Sequence, residues 1–232
     1  MGIRTRILGI AGLAALTALA AAGCGQNRGA SSVRYQVTVA NLTNAQPLTP
    51  PAAVLHRSGY QGWTEGETAT TGLEELAEGG ATAAFLAEAR GNDAVVEAEA
   101  ADTGVAPGTA VTLTLEGERR PGLRLTVASM LAATNDGFTG AAGWDLASLA
   151  VSGSRTALVK AWDAGTEANS ETAATVPALG GTGFDAGRTS AVDRVTVHPG
   201  VVTAADGLTA SGLAEAHRFI GPVARITVTR VR

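Results

Sequence analysis

The sequence predicts an all-β protein, an antiparallel β-sandwich of about eight strands with one or two short helices. Most of the chain after residue 32 alternates apolar and polar residues with the period of two that half-buried strands show. Turn residues separate the alternating stretches, and several stretches carry threonine or arginine at the polar positions. Only the region around residues 71–90 instead spaces its apolar residues as a helix does.

Eight stretches of the chain are candidate strands. The clearest alternation predicts strands at residues 33–39, 111–115, 123–127 and 224–231. Weaker patterns add candidates at residues 94–98, 138–144, 156–162 and 192–197. Residues 179–189 are rich in glycine, which predicts a loop.

Two short helices are predicted between residues 71 and 91. The stretch TGLE, which begins at Thr71, has the capping-box arrangement, and apolar residues follow it at helical spacing. Thr82 predicts the N-terminal cap of the second helix, and Gly91 predicts its end. We expect both helices to cover an end or an edge of the sandwich.

The N-terminus resembles the export signal of a bacterial lipoprotein. Arg4 and Arg6 precede an apolar run at residues 7–22 that is too short and too rich in alanine for a membrane-spanning helix. Cys24, the only cysteine, stands where such signals place the cysteine that becomes acylated. Ala21 departs from this pattern, because leucine is usual there. The alternative is an ordinary signal that is cleaved at a nearby Ala-x-Ala site.

These features divide the chain into a signal peptide at 1–23, a flexible tether at 24–32 and one domain at 33–232. We expect an exported protein that a lipid on Cys24 holds at the outer face of the cell membrane or in the periplasm. Removal of the signal changes the formal charge from −4 to −6, because it takes away two arginines and no acids. An acidic surface argues against nucleic-acid binding and is compatible with binding cations.

Two glycine-bearing turns carry the acids that most resemble a site. Asp136 lies in the stretch TNDGFTG, and Asp163 and Glu167 lie in KAWDAGTE. If strands 138–144 and 156–162 pair antiparallel, the three carboxylates meet at one end of the sandwich. Calcium prefers six to eight oxygen ligands, and two such loops can supply several of them. Acids in turns are also commonly just solvated, and paired acids can serve as acid and base in a secreted hydrolase.

The remaining polar residues point to no other chemistry. His56, His198 and His217 stand in unlike contexts, so structural roles are predicted for them rather than zinc binding. Ser152 and Ser154 lack the strand-to-helix turn that a hydrolase serine needs. We therefore do not predict an enzyme.

Six segments, in this order, resemble bacterial members of the spondin family, an extracellular module. They are SVRYQVTVANLTNAQPLTPP, AVLHRSG, ASMLAATNDGFTG, WDAGTEAN, VTVHPG and GPVARITVTRV. The likeness spans residues 33–231, and its most specific motifs are ASM with NDGF, and DAGTE.

The resemblance implies an antiparallel sandwich similar to calcium-dependent membrane-binding modules. Animal members hold a calcium ion through an acid in the first loop and both acids of an Asp-Ala-Gly-Thr-acid motif. In this chain the implied ligands are Asp136, Asp163 and Glu167. Glu167 replaces the aspartate of animal members, which changes the reach of that side chain, and the animal cysteines are absent.

The sequence thus predicts a surface-anchored, calcium-binding spondin-like module for adhesion. Its predicted partner is an unidentified extracellular protein or surface component, and the membrane is reached through the lipid on Cys24. The alternatives are a secreted hydrolase that uses paired acids and a structural domain that binds no metal.

Overall fold

Two antiparallel β-sheets, packed face to face, form the frame of the protein. The computed structural model describes residues 1–2, 32–187 and 192–232. One sheet has four strands and the other has six. This confirms the predicted sandwich, with ten strands in the described part of the chain instead of about eight. The predicted signal peptide from residue 3 on, Cys24 and the tether as far as residue 31 lie outside the described residues.

The order of elements along the chain is that of a sandwich with one helical insertion. The elements are β1 (Ser32–Asn41), β2 (Ala52–His56), α1 (Thr71–Gly79), α2 (Ala83–Arg90), β3 (Val95–Ala100), β4 (Ala110–Glu118), β5 (Arg124–Met130), β6 (Gly137–Asp145), β7 (Ser154–Val159), β8 (Ala161–Asp163), β9 (Thr196–Val197) and β10 (Ala224–Arg230). The four-stranded sheet has the order β4–β1–β10–β7, and the six-stranded sheet has the order β3–β2–β5–β6–β8–β9.

The main apolar core lies between the two sheets. Alternation along β1 directs Val33, Tyr35, Val37 and Val39 into this core, while the intervening residues face outward. Leu125 enters it from the other sheet. Burial of large apolar side chains is the dominant favourable contribution to folding, and this core supplies it without any disulfide.

Strand β2 is the element that the alternation did not predict. All five of its residues are buried, because the four-stranded sheet covers one face and the helices cover the other. Val54 packs under the helices, and Leu55 points into the core between the sheets. A strand that is covered on both faces reads as a short apolar run without a period of two.

The two helices cover the outer face of the six-stranded sheet, and not an end or edge of the sandwich as predicted. Leu73 of α1 and Phe85 of α2 are completely buried in a second apolar cluster. Val54 and Phe138 belong to the same cluster, so the helices pack on the middle of the sheet.

The helix caps differ from the predicted ones. Thr70, not Thr71, is the N-cap of α1, and its Oγ1 accepts a hydrogen bond from the backbone N–H of Leu73. Thr82 precedes α2 as predicted but makes no side-chain cap hydrogen bond. Gly91 ends α2 in a right-handed conformation, so its freedom to adopt positive φ is not used there.

The predicted strand at residues 156–162 is in fact two strands in different sheets. The chain leaves the four-stranded sheet after β7 and enters the six-stranded sheet at β8, with exposed Lys160 between them. Val159 and Ala161 both remain in the core, so alternation continues through the crossing and does not reveal it. Of the predicted strand at 192–197, only Thr196–Val197 pairs.

Strands β5 and β6 run the length of the sandwich and define its two ends. One end carries the β5–β6 connection. The other carries the β4–β5 and β6–β7 connections and the start of β1. Every described strand pairing and all three apolar clusters lie within residues 32–232, so a chain that begins at residue 27 retains them all.

Candidate functional site

Pairing of β6 with β8 brings the two predicted acidic turns together. Gly137 lies opposite Asp163 in this antiparallel pair, as the predicted pairing requires. Asp136, one residue earlier, accepts a 3.1 Å hydrogen bond at its carbonyl oxygen from the N–H of Ala164. The two loops therefore meet at one end of the six-stranded sheet.

The side chain of Asp136 links the two loops. Its Oδ2 accepts hydrogen bonds from the backbone N–H of Thr166 at 2.8 Å and of Glu167 at 3.0 Å. Its Oδ1 has no hydrogen-bond partner among the described residues, although the side chain is completely buried. A buried carboxylate oxygen without a donor is costly in a protein, because it has lost its water and gained nothing in return.

A left-handed turn at Gly165 shapes the DAGTE loop. Gly165 has a φ of +73°, and a Cβ at this position would lie 2.2 Å from the carbonyl oxygen of Arg194. The turn allows Oδ1 of Asp163 to accept a 2.8 Å hydrogen bond from the N–H of Gly165. Glycine is thus required here for both its backbone conformation and its lack of a side chain.

Asp163 and Glu167 are almost fully buried but lie beside an opening to solvent. Asp163 is 6 % exposed and Glu167 is 3 % exposed. Oδ2 of Asp163 accepts a 2.8 Å hydrogen bond from the Asn169 amide, and Oε2 of Glu167 contacts the Asn135 amide at 3.4 Å. Both acids line an open cavity of about 370 Å³.

The electrostatics of the site disfavour negative charge. Burial, with the neighbouring Asp163 charge, raises the pKa of Asp136 to about 7. The N–H groups of Thr166 and Glu167 act in the opposite direction but do not offset this. Burial lowers the pKa of the nearby His198 to about 4, so this imidazole is neutral at physiological pH.

Two buried groups beside the site were not predicted from the sequence. Glu171 is 1 % exposed and has a φ of +56°, a strained conformation for a residue other than glycine. Its N–H donates to Oδ1 of Asn135, and its Oε1 accepts from the N–H of Val202. Its Oε2 has no hydrogen-bond partner among the described residues, and burial raises its pKa to about 7. The only sequence signal is its position, four residues after Glu167.

His198 is the second of these groups, because the sequence predicts a structural role for it but does not place it beside the acids. Its ring contacts Phe219 at 5.1 Å between centroids, and its Nδ1 accepts from the N–H of Gly200. Its Nε2 has no hydrogen-bond partner in the described part of the chain. His56, in contrast, has the structural role predicted, because both ring nitrogens are hydrogen-bonded in the core.

In this structure the carboxylates of Asp136 and Asp163 accept hydrogen bonds from backbone N–H groups of the loops. No three His, Cys, Asp or Glu side chains within residues 32–187 and 192–232 are already arranged as a metal-binding group. The donor chemistry nevertheless suits a hard cation, because the site offers carboxylate oxygens and one of them, Oδ1 of Asp136, lacks a donor. The described helices also include none that is long and apolar enough to cross a membrane.

The frame is thus an antiparallel sandwich that gathers three buried acids, Asp136, Asp163 and Glu167, in two loops at one end. The comparison with known families gives the class of protein. The Spondin_N family model matches residues 45–178, more than half of the chain, and the chain belongs to this family. The matched region contains Asp136, Asp163 and Glu167 but ends before His198. Spondin domains are extracellular modules and are generally not enzymes. No curated protein matches the chain.

Proposed function

We propose that this chain is a surface-anchored calcium-binding module that presents its acidic end to an extracellular protein or surface component. The observation that carries this proposal is the carboxylate of Asp136. It is completely buried, faces the charge of Asp163, and keeps one oxygen without a hydrogen-bond donor. A cation at this point would favour the ionised form of Asp136, which the protein alone disfavours.

Asp136, Asp163 and Glu167 are the residues that would hold the ion. Calcium takes six to eight oxygen ligands, so loop carbonyls and water would complete its shell. The ion would replace the repulsion between the acids with shared coordination. The loops around Gly165 would then be held in one conformation, and a partner would meet a rigid surface instead of a mobile one.

The anchor in this proposal is a lipid on Cys24, with the tether that follows it. Several acyl chains hold a protein at a membrane firmly, whereas a single chain binds only marginally. Extracellular calcium modules bind with dissociation constants of about 10⁻⁴ to 10⁻³ M. Occupancy of the site would therefore follow the calcium concentration outside the cell. Adhesion rests on the family alone, because a fold hosts many functions.

The test is thermal unfolding of residues 27–232 in calcium and in chelator, beside Asp163→Asn. An ion that binds only the folded protein raises the midpoint in proportion to the logarithm of its concentration above the dissociation constant. At 1 mM calcium and a dissociation constant of 0.1 mM the gain is about 1.4 kcal/mol, which is about 3–5 °C for a chain of this size. Asp163→Asn should abolish this rise.

The matched control is Asp102→Asn, which removes the same charge from an exposed loop residue. It should keep the full calcium response, which excludes a general effect of net charge. Magnesium at the same concentration tests selectivity, because it prefers a smaller octahedral shell. Absence of any calcium shift in the parent chain would favour the structural alternative, in which Asp136 only caps the backbone of Thr166 and Glu167.

A further inference from the structure

A second pocket lies at the end of the sandwich opposite the acids. Its volume is about 510 Å³, within the range of small-molecule sites. Strands β5 and β6 separate it from the acidic loops by about 20–27 Å, given their lengths and the usual rise per residue. Its apolar floor is formed at the surface by exposed Pro121 and Ala147, and the core residues Val33, Leu123 and Leu146 also line it. This pocket shares no residue with the proposed calcium site.

The rim of this pocket is strongly basic. Arg119, Arg120 and Arg230 line it, and none of its lining residues is acidic. Arg120 is paired with Glu118, and Arg230 donates to the carbonyl oxygens of Leu149 and Arg232. Both arginines are thereby held in place while they keep their positive charge in the pocket.

Arg119 differs from its two neighbours. It is exposed and forms no hydrogen bond or ion pair with the described residues. A planar guanidinium offers several N–H donors that match the oxygens of a phosphate or carboxylate. Its donors are therefore available to a ligand.

Tyr35 provides a second, independent indication of a ligand. Only 2 % of its surface is exposed, and its hydroxyl has no hydrogen-bond partner among the described residues. The hydroxyl is not one of the buried polar atoms that are cut off from solvent, so it is the polar tip that this otherwise buried side chain presents to the pocket. Tyr35 lines the pocket, and the charges of Arg119 and Arg230 act on it directly. An anionic oxygen bound between these arginines would be in position to accept from the hydroxyl.

We propose that this pocket binds the phosphate of an amphiphile, with its phosphate oxygens on Arg119, Arg230 and Tyr35 and its apolar body on the floor. Charge complementarity selects the anion, and the apolar floor favours a phosphate ester with a hydrocarbon part over inorganic phosphate. Two sources share this chemistry, namely a membrane phospholipid and a dissolved phosphate ester. Val33, which lines the pocket, is only nine residues from Cys24, so the tether spans at most about 32 Å.

The binding test uses residues 27–232 in chelator, so that calcium cannot bridge protein and ligand. Isothermal titration calorimetry measures the binding of dihexanoyl phosphatidic acid, at concentrations below those at which it forms micelles. The binding of inorganic phosphate is measured for comparison. Arg119→Gln should weaken binding of the lipid about tenfold, and Tyr35→Phe should weaken it severalfold, since hydrogen bonds to charged groups are the strong ones. Arg225→Gln removes the same charge from an exposed position of β10 that lies about 17 Å along the strand from Arg230. This control should leave binding unchanged.

The two sources are separated by sedimentation with vesicles of phosphatidylglycerol and of phosphatidylcholine. If the parent chain sediments with phosphatidylglycerol vesicles and Arg119→Gln does not, the source is a membrane lipid. Binding of dissolved dihexanoyl phosphatidic acid without sedimentation identifies a dissolved ester. Equal losses in Arg119→Gln and Arg225→Gln, or no binding of either phosphate compound, would overturn the proposal. Because chelator is present throughout, these outcomes are independent of the calcium test.

Discussion

Asp136 holds the backbone of Thr166, thirty residues further along the chain, through a 2.8 Å hydrogen bond from the N–H of Thr166 to Oδ2. The hydroxyl of Thr166 also donates to this oxygen, at 3.3 Å. One oxygen of Asp136 therefore fixes the position of the DAGTE loop, and the other, which has no hydrogen-bond partner among the described residues, is the one proposed to bind calcium. These two roles can be separated by substitution.

Asp136→Ala and Asp136→Asn should therefore differ in their effects. Asp136→Ala leaves the N–H groups of Thr166 and Glu167 without an acceptor and should destabilise the protein by about 2 kcal/mol in chelator. Asp136→Asn keeps an acceptor and removes a buried charge, so its stability in chelator at pH 8 should match or exceed that of the parent chain. Both should lose the calcium response. Chemical denaturation in chelator and in calcium measures these differences. A calcium response that survives in Asp136→Asn would contradict the proposed ligand role.

Gly165→Ala should be one of the most damaging small substitutions in the chain. A Cβ at this position would lie 2.2 Å from a backbone oxygen, and the φ of +73° adds strain. Together these effects should cost at least about 3 kcal/mol. Gly207→Ala is the matched control, because Gly207 has a φ of +101° but no heavy atom within 4 Å of the added Cβ. It should cost only about 1 kcal/mol. Equal costs by urea denaturation would show that the loop yields to the clash.

The buried carboxyl of Glu171 predicts a loss of stability as the pH rises. Its pKa in the folded protein is about 7, above the ordinary value of 4.5, because burial penalises the charged form. The folded state therefore holds this proton more tightly than the unfolded state does. The resulting stabilisation is complete below pH 4.5 and is lost as the pH rises through 7. Glu171→Gln, which stays neutral, should flatten the fall in unfolding free energy between pH 5 and 8.

Two controls accompany this pH series. All samples contain chelator, so that calcium does not compete with the proton on Asp136. Asp136 titrates in the same range with the same sign, and its contribution is then common to the parent chain and the variants. Glu67→Gln removes an exposed carboxylate and should leave the pH profile unchanged. An unaltered slope in Glu171→Gln would mean that this carboxyl is ionised in the folded protein.

Cys24→Ser should release the protein from the membrane. The full-length chain, expressed in a bacterial host that acylates lipoproteins, should sediment with membranes and incorporate labelled palmitate. Cys24→Ser should do neither, because the serine hydroxyl does not replace the thiol as the site of lipid attachment. Immunoblotting of fractions and autoradiography provide the measurement. Membrane association of Cys24→Ser without label would point to the ordinary cleaved signal and to another mode of attachment.

The sequence predicts the fold and the acidic loops well because both have local signatures. Alternation marks strands with one solvated face, such as β1, and it misses β2 because both faces of β2 are covered. Alternation also cannot show that the chain changes sheets at Lys160. Asp136 and Asp163 could be placed together because one antiparallel pairing decides their distance. Glu171 and His198 reach the site through irregular loops, and no period in the sequence encodes such a path.

Strand β1 determines how the domain resists a mechanical load. It begins at Ser32 and lies between β4 and β10 with continuous pairing on both sides. If the chain is anchored at Cys24 as proposed, a pull from the N-terminus acts along this strand, while hydrogen bonds of an antiparallel sheet run perpendicular to it. Such a force shears many bonds at once instead of opening them one by one. A partner held at the acidic end would thus pull on the sheet parallel to its strands, the direction in which the sheet resists unfolding most strongly.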